Sequence, residues 1–286
     1  MEKLRAYLAP VADLSGAASV LSWDQETMMP PGGVQTRAHQ MGTIAAEIHR
    51  RYTSEELGAL LDSAAEEAEA EAEERNALTV RAVRRIYDQR IRVPGEFVVR
   101  RTELSARSRE AWKSARRNND FGEFAPLLSR QFALAREYAD YLGYDRNPYD
   151  ALLDSFEPGV TYDWISSRFS AVQQPLQRLI SRIAEARSRN SKFAESERVA
   201  HRRVDAETQL QFSRKLAACV GYDFNHGRLD LSTHPFTSGG SYQDVRLTTR
   251  VVPDHFPSCL FATIHEAGHG IHGQKLHPQL YRLPFR

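Results

Sequence analysis

The sequence predicts a mainly α-helical fold that places one small β-hairpin directly ahead of a late helix. Three observations carry this. Apolar residues recur at three- and four-residue steps through most of the first 220 positions. A long stretch rich in Ala and Glu runs without a breaker as far as Pro94. After Gly221 the texture changes to alternating or β-branched residues bounded by Gly and Pro.

Taken in order, 34–51 carries Met41, Ile44, Ala45 and Ile48 on one helical face. The stretch 62–93 is expected to be one long helix. Val80, Val83, Ile86, Tyr87 and Ile91 form its stripe, and its acidic first half reads as a solvated face rather than a binding tail. Pro94 suits the first turn of the next helix, which runs through Trp112 to about Arg116. Further helices are expected at 121–142, 161–187 and 205–220, with a turn-rich stretch around Pro148, Pro158 and Gly159 between the first two. The segments "GRLDLSTHPF" and "YQDVRLTTRVV" are expected to form a hairpin over about 227–251, joined through "TSGGS". A helix over about 257–274 follows. No repeat and no flexible linker divides the chain, so 1–286 is expected to be a single domain.

Charge gives little reason to expect nucleic acid or an anionic membrane as partner, since 38 Lys and Arg face 37 Asp and Glu. Two cysteines, Cys219 and Cys259, are too sparse for a disulfide framework and read as thiols of a reducing compartment. No apolar run approaches a membrane span. Pro10 and Asp13 interrupt what would be the apolar core of a signal peptide. A cytoplasmic location is expected.

The last helix carries "TIHEAGHGIHGQ", and within it His265-Glu266-x-x-His269. Histidines four apart on a helix lie about 40° apart around the axis and about 6 Å along it. Two such imidazoles can reach one zinc ion at about 2.0–2.1 Å. Glu266, rotated by about 100°, sits beside the metal, where a general base would take a proton from an attacking water. Gly268 costs the helix about 1 kcal/mol relative to Ala, which suggests that another segment packs closely there. The bland reading is a pair of surface histidines on an amphipathic helix. The apolar run "CLFATI" ahead of them favours the metal.

Several segments together resemble the carboxypeptidase Taq family of zinc metallocarboxypeptidases. They are "LSWDQETMMPPGGVQTRAHQ", "YDALLDSFEPGVT", His234-Pro235-Phe236, Asp244-x-Arg246-x-Thr248 and His265-Glu266-x-Gly268-His269, in the family's order. The resemblance implies an oligopeptidase-like helical architecture of the neurolysin or thimet type, with a deep groove. It also implies release of C-terminal residues from peptides with broad side-chain tolerance. A divalent metal is implied, usually zinc, with cobalt or another ion as a variant, and so are homodimers. His234, Asp244, Arg246 and Thr248 would lie near the active site. Asp244 would then orient a ligand histidine, and Arg246 would orient that carboxylate or meet a substrate carboxylate. A plain salt bridge from the hairpin to the metal helix is the alternative.

The family's third metal ligand is a Glu in a later His-Glu-Ser motif, and the sequence given ends at Arg286 before any such segment. The domain is therefore expected to be C-terminally incomplete, with apolar faces left uncovered. Where the family has Tyr-Glu, this chain has His272-Gly273. His272 lies roughly 10 Å along the axis from His265. His277 falls outside the metzincin spacing, which wants its third histidine at the position held here by Lys275. Neither is favoured as a substitute ligand. Two readings follow: a zinc carboxypeptidase with Glu266 as base, or an inactive truncated homologue acting by association.

Overall fold

The computed structural model describes residues 1–71 and 74–283. Eleven α-helices and one three-stranded sheet make up the described residues. The first half is a stack of antiparallel helices. Leu4, Leu8 and Val11 of α1 (Glu2–Thr27) are buried with Tyr52 of α2 (Val34–Tyr52), Leu57 and Leu61 of α3 (Glu55–Glu71), and Val80 and Val83 of α4 (Glu74–Arg90). The single helix expected over 62–93 is in fact these last two, α3 and α4. They run antiparallel: Gly58 lies against Tyr87, and Asp62 pairs with Arg84. Burial explains the pairing, because folding the stretch back lets Leu57, Leu61 and Ala64 cover Val80 and Val83. The acidic residues Asp62, Glu66, Glu67 and Glu69 do face water.

Helix α5 (Gly95–Asn118) lies along α2 and against α6 (Phe121–Leu142). Asp120 caps α6, accepting from the Glu123 backbone N–H at 3.3 Å, and Gly143 ends it with a positive φ. Phe97, Ala139, Leu142 and Ala151 close a second core against the short α7 (Pro148–Leu153). Helix α8 (Tyr162–Arg189) then packs on α7 and on α9 (Ser191–Ala200), and α10 (Ala206–Cys219) packs on the last helix. No residue of α8 is buried. Its Phe169, Val172, Leu176, Leu179 and Ile183 recur at steps of three and four and stay about half exposed or more. Among the described residues, no helix is long and apolar enough to cross a membrane.

The sheet differs from the expected hairpin. β1 (Gly227–Leu231) and β3 (Asp244–Thr249), the two segments expected to pair antiparallel, are parallel neighbours, with Arg228 opposite Arg246. The supposed link "TSGGS" is itself β2 (Thr237–Ser241), antiparallel to β3 on its other side. A hairpin does precede the late helix, but it is β2–β3. Its glycines serve close approach: a Cβ on Gly240 would stand 3.2 Å from the Cα of Gly16 in α1. α1 can reach β2 only where both chains lack side chains.

α11 (Phe256–Gln274) packs on β3 and α10 through Cys259, Thr263, Ala267 and Gly270. The close contact expected at Gly268 occurs instead at Gly270, where an added Cβ would meet Leu247 and Tyr222 at 2.8 Å. Gly268 is exposed and has nothing within 4 Å of its would-be Cβ. The two glycines therefore respond oppositely to alanine. Gly268→Ala should stabilise the protein by about 1 kcal/mol through helix propensity. Gly270→Ala should destabilise it, because overpacking of about 1–3 kcal/mol outweighs that gain. Urea denaturation of the two variants reads both signs. Replacing Leu176, Leu179 and Ile183 with Gln should reduce self-association and dye binding, with stability changed by less than about 0.5 kcal/mol. Light scattering alongside unfolding checks this, and a loss of several kcal/mol would place the stripe inside a core.

Candidate metal centre

The buried face of α11 sets what its other face can hold. Thr263 sits in the interface at no measurable exposure, its Oγ1 3.0 Å from Thr249 Oγ1 of β3 and donating to Cys259 O at 2.8 Å. At the helix's far end Gln274 clamps Asp223, accepting from its N–H at 2.9 Å and donating to its carbonyl at 2.8 Å. Between these anchors the ring of Tyr222 lies against Gly270, and its hydroxyl donates to Val245 O. Burial raises the Tyr222 pKa, so the phenol stays a donor.

With that face fixed, His265 and His269 both point outward, and their Nε2 atoms come within 3.3 Å of each other. Two nitrogens bound tetrahedrally to one ion at about 2.0–2.1 Å stand about 3.3–3.4 Å apart. The pair therefore already has the separation that a shared zinc requires. Between them in sequence, Glu266 turns toward the sheet and is only 8% exposed. Its Oε2 accepts from the hydroxyl of Thr237 in β2 at 2.7 Å. A buried carboxylate beside two exposed imidazoles, with its rotamer held by a hydroxyl, is suited to receive a proton at a defined place.

A cavity of about 810 Å³ opens here, and His234, Thr237, Tyr242, Glu266, His269 and His272 line it. His234 reaches it from the turn between β1 and β2, which Thr248 pins. The fully buried Thr248 hydroxyl accepts from the Phe236 N–H at 2.9 Å, and the Thr248 N–H donates to the Phe236 carbonyl at 2.9 Å. Ser232 adds a third tie, its hydroxyl lying 2.7 Å from His234 O and 2.8 Å from Thr248 Oγ1.

Asp244 and Arg246 lie elsewhere in the arrangement. Arg246 donates to both carboxylate oxygens of Asp244 at 2.8 Å, so the ion pair closes within β3 and does not cross to α11. The guanidinium also stacks 4.5 Å from the Trp23 ring of α1. Arg228, opposite it on β1, is paired with Asp230 and stacks on the same ring at 4.8 Å. His277 caps a terminal 3₁₀ turn, accepting from the Gln279 N–H. Among the described residues, no group of three His, Cys, Asp or Glu side chains forms a metal site, so neither His272 nor His277 completes one with the pair. Thr237 is not legible from local pattern, because it lies in a Gly-Ser stretch that carries no alternation. Its place directly after His-Pro-Phe was the available signal.

The comparisons with known proteins agree in direction. The chain is 30% identical to Thermostable carboxypeptidase 1 of Thermus thermophilus, over 99% of this chain and 56% of that protein. It is 30% identical to Carboxypeptidase 1 of Bacillus subtilis, over 94% of this chain and 52% of that one. Its structure superposes on the crystal structure of BsuCP with a TM-score of 0.92, at 28% identity, over 99% of this chain and 56% of the other. The M32 carboxypeptidase from Deinococcus radiodurans R1 gives 0.79 at 29% identity, over 99% and 55%. The chain thus spans about half the length of the curated relatives it matches. The sequence profile of the Carboxypeptidase Taq (M32) metallopeptidases matches residues 3–286, and the chain belongs to that family.

Proposed function

We propose that this chain carries the metal-binding and proton-transfer part of a metallocarboxypeptidase that releases C-terminal amino acids from peptides of varied sequence. The convergence of His265 and His269 to 3.3 Å beside the Thr237-held Glu266 carries the reading. The two imidazoles would hold a divalent ion, zinc by the donor type and spacing, with cobalt as a workable substitute. Such an ion supplies Lewis acidity to the scissile carbonyl and to the attacking water. Glu266 would take the proton of the attacking water and pass it to the departing amine.

β2 gives the substrate its path. It is an edge strand, all five of its residues line the cavity that holds Glu266 and His269, and Thr237 at its start touches the base. An extended peptide laid along this edge would present its backbone to the metal pair in register. The reading extends to a homodimer in a reducing, cytoplasmic setting, in keeping with unpaired Cys219 and Cys259.

The exposed apolar stripe of α8 is the observation behind a second reading, a helical association module without turnover. Zinc stoichiometry at buffered nanomolar free metal, measured beside hydrolysis, separates the two. The enzyme reading expects one equivalent per chain, lost in His269→Ala, with release of single C-terminal residues. Glu266→Gln should keep the metal and lose about 10²–10⁴-fold in kcat. Unchanged hydrolysis in that variant removes Glu266 from the mechanism. Weak, substoichiometric zinc with no turnover supports the association module.

Thr237→Val should retain zinc and KM but lower kcat by about tenfold to a hundredfold. That range corresponds to a hydrogen bond to a charged group worth about 1.5–3 kcal/mol. An unaltered kcat would limit Thr237 to a structural part.

A further inference from the structure

A second cavity, of about 360 Å³, lies between α1, α2, α4, α5 and α6 and shares no lining residue with the one beside the histidine pair. Arg90, Arg101, Arg109 and His49 open onto it, and none of its lining residues is acidic. Arg109 is partly neutralised by Glu26 at 3.6 Å. Arg90 and Arg101 are not: among the described residues, neither has a carboxylate within ion-pair distance. Each instead lies over a tyrosine ring, Arg90 at 4.2 Å from the centre of Tyr52 and Arg101 at 4.4 Å from that of Tyr138.

A ring face attracts a cation but gives its N–H groups no lone pair to meet. Arg90 is only partly exposed, and desolvation lowers its pKa. The buried His49 beside it is likewise lowered, first by burial and then by the Arg90 charge, so it adds a neutral donor or acceptor rather than a further cation. A half-buried guanidinium over a ring keeps its N–H groups for water, which an entering anion would replace with charge-assisted hydrogen bonds. Its planar fork matches a carboxylate or a phosphate. The remaining wall is mixed: Met41, Val93, Phe97 and Val98 form an apolar side and Gln25, Thr102 and Ser105 a polar one, so an anion with an apolar body meets both, whereas a bare phosphate would face the apolar side half-desolvated.

We propose that this cavity is a binding site for a small organic carboxylate, its charge held by Arg90 and Arg101 and its apolar body resting on Met41 and Val98. Arg101, exposed at the mouth, admits the anion, and Arg90 receives it further in. The site is independent of the metal centre and of the activity proposed for it.

The test is calorimetric titration of the whole chain with benzoate, benzamide and inorganic phosphate, each with and without a chelator. Benzoate should bind equally in both conditions, benzamide should not bind, and phosphate should bind more weakly than benzoate. Arg90→Met and Arg101→Met should each weaken benzoate at least about tenfold. Arg101→Met changes an exposed residue and keeps the test open if Arg90→Met disturbs folding, which circular dichroism checks. Absence of benzoate binding overturns the proposal, as does binding that survives both substitutions or vanishes with chelator. Phosphate binding in place of benzoate overturns the assignment to an organic anion.

Discussion

Cys259, Thr263, Ala267 and Gly270 recur along α11 at steps of four, four and three, and they lock one side of the helix onto α10 and β3. A helix held on one side has no rotational freedom left, so the directions of its other residues are settled as well. That is why His265 and His269 face outward together while Glu266, one step away, turns inward to Thr237. The contact most sensitive to size is Gly270 against Leu247 and Tyr222. A bulkier residue there would push the helix off the strand and carry both imidazoles with it.

The sheet is the frame against which that helix is set. Parallel β1 and β3 bring Arg228 and Arg246 side by side, a repulsive arrangement made tolerable because each arginine is neutralised on its own strand by Asp230 or Asp244. Both then stack on Trp23, so α1 is fastened to the sheet by one aromatic ring. The Asp-x-Arg-x-Thr segment thereby does two jobs in five residues. Its ion pair grips α1, and its threonine holds the turn that carries His234.

The sequence made some of this plain and hid the rest for identifiable reasons. Helix α6 was legible to the residue because Asp120 and Gly143 mark its ends. The α3–α4 reversal was not, since Ala and Glu around it favour helix throughout and only tertiary burial of Leu57 and Leu61 against Val80 and Val83 selects the folded-back form. β2 was missed because glycines and serines carry no alternation; its position follows from the close approach of Gly16, which no local pattern can announce. At the site, the spacing of His265 and His269 was informative because helix geometry alone determines it. Thr237 was not, because its partner lies 29 residues away on another element.

Helix α8 carries a different consequence. With no buried residue over 28 positions, it is held by its own backbone hydrogen bonds and by its neighbours α7 and α9. Opening it exposes less apolar surface than opening a core, because its apolar stripe is already about half exposed, so its opening free energy lies below that of the cores. Its backbone amides would exchange with deuterated solvent while those of α11 remained protected. The same chain thus combines a closely packed platform for its histidine pair with a 28-residue helix none of whose residues is buried.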